Sequence, residues 1–354
     1  MADAVAGIVA NPLSGRDVRR LVARASVFPT AEKANMVQRL LSALHSAGVD
    51  RALVSTDLGG ISAEVLRAGR RLRPGRDAPW PDVRFCEQDR LTETAADTVT
   101  AVRAMVEAGA GVVICLGGDG TARVAAGACG QVPLLALSTG TNNVFPQLRE
   151  ATVAGLAAGL VATGAVDAEA VTRRASVLRV RAGNRCEPAL VDVAVSQAGR
   201  VGARAVWDPA ELSELFCTFA EPDAVGLSSV AGLLAPSARS DPDGVALRLD
   251  PAAECVVRAP LAPGLVREVG VASCRRLAEG ETVPITASRG VIAVDGEREV
   301  EFGPRTAPTV TLSADGPRCV DVRAVLARAS AEGLLRGGAA KDSGTRPVAG
   351  AHEL

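Results

Sequence analysis

The sequence predicts an open, mostly parallel α/β domain followed by a β-rich domain. Three observations carry this expectation. Short apolar runs alternate with helical periodicity through the first half, strand-length runs separated by turns take over from about residue 172, and a length of 354 residues favours two cores over one.

In order, Val5–Ala10 reads as a strand, 31–47 as an amphipathic helix with apolar residues three and four apart, and Arg51–Ser55 as a second strand. Residues 61–72, 94–108 and 121–129 then read as helices, with strands at 83–86, 111–116 and 132–137. This alternation puts helices on both faces of a parallel sheet. The Pro/Arg-rich stretch 73–82 interrupts the series as a surface loop holding Trp80. The small-residue run 151–166, bounded by Glu150 and Asp167, is too short to span a bilayer and reads as a packed helix.

Further strands are expected at 176–180, 189–196, 245–249, 266–272, Gly290–Val294 and 309–312. One helix is expected over 209–220, with Asp208 as N-cap and Pro209 at its first position. Residues 320–335 read as a terminal helix, and 336–354, rich in Gly and Ala without periodicity, as a disordered tail. The expected divisions are therefore 1–170, 171–319, 320–335 and 336–354.

Composition removes several function classes. A formal net charge of −1, two Trp, six Phe and no Tyr give neither a basic stripe nor stacking rings, which argues against a nucleic-acid partner. Lys33 and Lys341 are the only lysines, and neither follows a Gly-rich loop, so Walker A chemistry is excluded. The eight cysteines are scattered without a C-x-x-C pair and read as buried reduced thiols. His45 and His352 are the only histidines, too few for a His-based triad or a zinc site. No basic, then apolar, segment opens the chain, so a cytoplasmic protein without a membrane partner is expected.

The chemistry is concentrated in loops that follow strands. "VVICLGGDGTAR" is strand, glycine turn, helix, an arrangement in which backbone N–H groups and a helix N-terminus suit a phosphate chain. Asp119 in the middle of that loop fits a general base or a Mg²⁺-positioning acid of phosphoryl transfer, although for Gly-Asp-Gly by itself an ordinary turn is the favoured reading. The next βα loop, with Ser138, Thr139, Asn142 and Asn143, would face the same crevice and offer donors and acceptors to a ribose or phosphate. A third loop, Asn11, Pro12, Leu13, Ser14, Gly15 and Arg16, either supplies donors and a guanidinium to phosphate or is a plain turn. "VIAVDGERE" carries Asp295-Gly296, for which a hairpin turn is the favoured reading.

Together these motifs resemble the NAD kinase and diacylglycerol kinase superfamily. Its hallmark GGDGT stands at 117–121, "NPLSG" is similar to the first-strand motif, and "LSTGTNNVFP" occupies the next loop. "GLSSVAGLLAP", "APLAPGLV" and "VDGE" follow in the superfamily's order, so that the resemblance covers residues 5–335. Within the superfamily, "ANPLSGRDVRRLVARASVF", "LSTGTNNVFP" and "VGARAVWDPAELSELF" resemble the acetoin catabolism protein X subgroup.

The resemblance implies a Rossmann-like N-terminal domain, a β-rich domain for substrate and oligomer contacts, and a site in the crevice between them. It implies ATP or another polyphosphate as donor, Mg²⁺, NAD as acceptor substrate, and a homo-oligomer. Asp119 is then the catalytic residue. Asn11, Ser14, Gly15, Gly117, Gly118, Gly120, Thr121, Thr139, Asn142 and Asn143 are then the nucleotide-binding set. One departure stands out: Val191-Asp192 occupies the place of the Asn-Glu pair of NAD kinases, and Asp192 would replace part of that contact. Two alternatives follow. One is a kinase of another small hydroxylated metabolite or a lipid, and the other is a nucleotide-binding accessory protein without turnover.

Overall fold

The structure, a computed structural model, describes residues 3–14, 23–197 and 208–336. Gly15, Arg16 and the tail from residue 337 lie outside the described residues.

The α/β half opens with β1 (Val5–Ala10), whose six residues are all buried, as a central parallel strand requires. It continues through α1 (Thr30–Ser46), β2 (Arg51–Ser55), α2 (Ile61–Arg71), β3 (Asp82–Cys86), α3 (Ala95–Glu107), β4 (Val112–Gly117), α4 (Asp119–Cys129), β5 (Leu134–Ser138), α5 (Ala151–Ala162), the short α6 (Ala168–Val171) and β6 (Thr172–Arg174). Side chains alternate across the sheet. Ile8, Val54, Ile114 and Leu137 pack under α1, α5 and the terminal helix, while Val9, Leu53, Val113 and Leu134 pack under α3 and α4. Trp80 belongs to the first layer, its Nε1 donating to Ser42 Oγ on α1 at 3.0 Å.

The second half is built from β7 (Val177–Ala182), β8 (Arg185–Ala189), β9 (Asp192–Ser196), β10 (Leu212–Cys217), α7 (Ser228–Leu234), β11 (Gly244–Leu249), β12 (Val256–Ala262), β13 (Leu265–Leu277), β14 (Thr282–Pro284), β15 (Gly290–Val294), β16 (Glu297–Phe302) and β17 (Thr309–Ser313). The chain then returns to the first sheet as β18 (Arg318–Val320) and ends its described part in α8 (Val322–Ala331).

Three sheets result, ordered β3-β2-β1-β4-β5-β18-β6, β12-β13-β11-β10-β9-β15-β16 and β14-β17-β7-β8. β1 through β5 pair in parallel, whereas the second and third sheets are antiparallel. The second and third sheets sandwich Leu178, Val193, Val195, Phe216, Ile292 and Leu312, and α7 covers the other face of the second over Leu215, Cys217 and Leu247. β9 has both faces covered, and all five of its residues are buried.

The expected helix over 209–220 is not formed. Asp208 does cap Pro209, its carboxylate accepting from Ala210 N–H, but the turn closes as a 3-10 helix at Glu211 and continues as β10. The reason is tertiary: Leu215 and Cys217 fill one side of the second sheet and Phe216 the other, a period of two that the segment's apolar run satisfies as well as a helix would. The expected strand 189–196 is likewise two strands, because the chain turns at Leu190 and Val191 between β8 and β9. Cysteines divide as well. Cys86, Cys115, Cys129 and Cys217 are buried as expected, but Cys186, Cys255 and Cys274 are exposed. Burial pushes the Cys86 thiol up to about 11, so it stays protonated and inert.

Candidate functional site

The strand order of the first sheet reverses between β1 and β4, the position at which an open α/β sheet leaves a crevice at its carboxyl edge. Loops leaving β1, β4 and β5 form one side of a cleft of about 590 Å³, and the hairpin β15–β16 contributes Asp295, Glu297 and Glu299 to the other. That volume is of small-molecule size.

The first loop is braced from three sides. Asn11 donates through Nδ2 to Thr121 Oγ1 at 2.9 Å and accepts through Oδ1 from Leu13 N–H at 2.8 Å. Ser14 Oγ and Thr139 Oγ1 share a hydrogen bond of 2.8 Å, which ties the first loop to the third. From behind, Lys33 on α1 is 1% exposed, and its Nζ donates to the carbonyls of Asn11, Pro12 and Ser14 at 3.1, 3.0 and 3.2 Å. A buried ammonium demands such acceptors, and they in turn fix the loop's shape. Lys33→Met is therefore expected to lower stability by about 3 kcal/mol in urea unfolding, because those carbonyls lose their donor. An unchanged midpoint would show that the loop does not depend on the buried cation.

Asp119 opens α4 with Gly118 as N-cap, so the helix starts two residues before the expected Thr121. Its carboxylate, in a residue 9% exposed, accepts from Val144 N–H at 3.0 and 3.2 Å and from Phe145 N–H at 2.7 Å. The lone acid of the glycine loop thus fastens the second loop to the third while remaining in the cleft wall. Gly118, Gly120 and Thr121 also line the cleft, but Gly117 does not. A Cβ on Gly117 would lie 2.6 Å from Thr121 Cβ, so this glycine makes room for the Thr121 side chain.

Asn11, Ser14, Thr139, Asn142 and Asn143 all reach the same cleft. Asn143 donates to Ser138 Oγ at 2.7 Å. Asp192, buried on β9, instead lines a neighbouring cavity of about 20 Å³ shared with Asp119, Asn142 and Asp295, roughly the room one water needs. The expected set is therefore brought together except for Gly117 and Asp192, with Gly15 outside the described residues.

Among the residues of the site that were not anticipated, three hold its parts together: Asp295, Arg123 and Lys33. Asp295 and Gly296 have φ of 50° and 77° between the paired Val294 and Glu297, so the hairpin turn is present as expected. The turn also folds the Asp295 carboxylate inward, where it accepts from Leu190, Val191 and Asp192 N–H at 3.2, 2.7 and 3.4 Å and faces Arg123 Nε at 3.6 Å. Arg123, on α4, also pairs with Glu299 at 3.0 Å and so fastens the β-rich hairpin to the GGDGT helix. Burial pushes the Asp295 carboxyl up to about 7; the Arg123 charge pulls it down, the Asp119 charge pushes it up, and the Val191 and Leu190 N–H groups pull it down.

The third unanticipated residue, Lys33, did leave a signal. It stands on the stripe Lys33, Val37, Leu40, Leu41 and Leu44, where a lysine is out of place.

Among the described residues, no group of three or more His, Cys, Asp or Glu is placed to hold a metal ion. No helix among them is long and apolar enough to cross a membrane.

Comparison with known proteins divides the chain along the same cleft. Residues 6–166 match the ATP-NAD kinase N-terminal domain, and residues 176–315 match the acetoin catabolism protein X C-terminal domain. Acetoin catabolism protein X of Cupriavidus necator is 42% identical over 340 residues, 94% of each chain. Asp119 and the three loops fall in the first match, Asp192 and Asp295 in the second.

Proposed function

The chain belongs to the acetoin catabolism protein X family, with an ATP-NAD kinase N-terminal domain, and from that premise we propose that it is a phosphotransferase using a nucleotide donor and a hydroxyl acceptor. The default acceptor is the ribose 2′-OH of NAD. One observation carries the reading: a rigidly held carboxylate, Asp119, stands where three polar loops meet at the carboxyl edge of a parallel sheet.

In this reading the main chain of Gly118–Thr121 and the Asn11–Ser14 loop receive phosphates, and Asn142, whose side chain makes no hydrogen bond among the described residues, contacts the nucleotide. Asp119 orients the acceptor hydroxyl and takes its proton as the oxygen bonds to the γ-phosphorus and the bridging oxygen leaves with the diphosphate. Mg²⁺ fits this site only as a partner of the phosphates. No protein cage exists among the described residues, and Mg²⁺ commonly enters held by one or two carboxylates and the substrate's phosphates. When bound it would neutralise charge on the transferring group, with the carboxylates Asp119 and Glu297 both lining the cleft, one from each side.

A second reading is a nucleotide-binding protein of acetoin catabolism without turnover. It is favoured by the engagement of both Asp119 carboxylate oxygens with loop N–H groups. The two readings part in an acceptor screen with ATP and Mg²⁺ over NAD, NADH, acetoin-pathway metabolites and diacylglycerol. NADP formation is the expected result. ATP binding with no phosphorylated product on any acceptor would replace the first reading by the second.

A further inference from the structure

Val144 and Phe145 lie in no helix or strand, yet all four of their main-chain polar groups are held by side chains from elsewhere in the fold. Their N–H groups go to Asp119 of the α/β half. Their carbonyls go to Arg239, between α7 and β11 of the β-rich half: Nη1 donates to Phe145 O at 2.9 Å and Nη2 to Val144 O. Arg239 is itself fixed. Its Nε donates to both Glu221 carboxylate oxygens at 3.1 Å, and its guanidinium lies 4.3 Å from the Phe219 ring centre and 6.0 Å from that of Phe145.

We propose that Arg239 is a positioning residue of the cleft, clamping the Asn142–Phe145 loop against Asp119 so that Asn142 and Asn143 face the ligand only when the β-rich half is docked. Two charges of opposite sign grip the N–H and the C=O groups of the same two residues, and neither grip alone fixes a loop that has no ladder of its own. Arginine is required because two carbonyls and a carboxylate are met at once by a planar fork, which a lysine ammonium cannot reproduce. The part that concerns the nucleotide rests on the function proposed above; the clamp itself does not.

The test compares wild type, Arg239→Met and Arg239→Lys by amide hydrogen exchange across residues 139–148 and by calorimetric titration with ATP·Mg²⁺ and with NAD. Arg239→Met should accelerate exchange of the Val144 and Phe145 amides and weaken nucleotide binding, each by about tenfold, the value of one charge-assisted hydrogen bond. Arg239→Lys should recover part of both effects. Val257→Ala, a destabilising change in a β-rich core cluster that contains neither Val144 nor Phe145, should alter neither. Unchanged exchange at Val144 and Phe145 in Arg239→Met overturns the clamp, and an affinity loss no larger than that of Val257→Ala overturns the positioning role. If Arg239→Met fails to fold, Glu221→Gln loosens the same guanidinium without emptying its place and should move exchange in the same direction; no movement rejects the clamp. Wild type that binds neither nucleotide sinks the proposed function, while exchange still decides the clamp.

Discussion

Asp119→Asn should fold and fail to transfer phosphoryl groups. Asparagine keeps one oxygen, enough to accept from Phe145 N–H, which Asp119 Oδ1 now holds at 2.7 Å. The amide nitrogen that replaces the second oxygen cannot accept a proton from a hydroxyl, and it presents N–H where an acceptor is needed. If Asp119 orients and deprotonates the acceptor, the chemical step falls by about a thousandfold while the unfolding midpoint moves little. Asp119→Ala goes further. It leaves Val144 and Phe145 N–H without their acceptor and should lower stability by about 2–3 kcal/mol in addition to abolishing turnover. The paired measurement is single-turnover phosphoryl transfer and urea unfolding on both variants. A rate for Asp119→Asn within threefold of wild type would leave Asp119 as a loop anchor only, since an anchor that survives in part should leave the chemistry in part.

Strands β1 to β5 were legible because they stand as short runs between helical periods, and the motif loops are contiguous in sequence; β6 and β18, which complete the sheet, gave no such run. Asp119, Asn142 and Asn143 were expected at one crevice from their loops after successive strands and from their motifs, and all three line the cleft. The other wall was not legible, because it is made by distant segments. Asp295 meets Leu190 and Val191 across more than one hundred positions, and Arg239 meets Val144 across 95. A carboxylate in a two-residue turn has the same sequence signature whether it points to water or folds inward; only the neighbouring sheet decides. For the same reason, the period-two burial of Leu215, Phe216 and Cys217 overrode a valid helix-start signal at Asp208 and Pro209. Gly117 shows another demand on a glycine in a phosphate-loop pattern: it is absent from the cleft lining, and its missing side chain makes room for Thr121.

Asp295 gives the protein a stability that falls as pH rises from about 4 toward neutrality. Its carboxyl is raised from 3.8 in the unfolded chain to about 7 in the fold, chiefly by burial, so between those values the folded protein retains a proton that the unfolded chain has released. The stabilising contribution is complete below about pH 4, is lost progressively up to about pH 7, and is constant beyond, amounting to something on the order of 4 kcal/mol for a fully buried group. Other carboxylates act in the opposite sense. Asp315, for example, is held below the usual range by the Ser313 hydroxyl and the Arg179 guanidinium, and its contribution is lost as pH falls. The whole-protein pH profile mixes both signs, and the informative quantity is the difference between wild type and Asp295→Asn. Asparagine tolerates the positive φ of this turn and still accepts from Val191 N–H, but it does not titrate. Wild type should therefore lose stability relative to Asp295→Asn between pH 4 and 7 and run parallel to it above. Arg123→Met should move that window upward, because the guanidinium 3.6 Å away is what favours the charged form. A difference independent of pH would mean that Asp295 is ionised throughout, with Arg123 and the three N–H groups outweighing burial. In that case the hairpin is bound to the GGDGT helix by a permanent ion pair, with no proton held near neutrality.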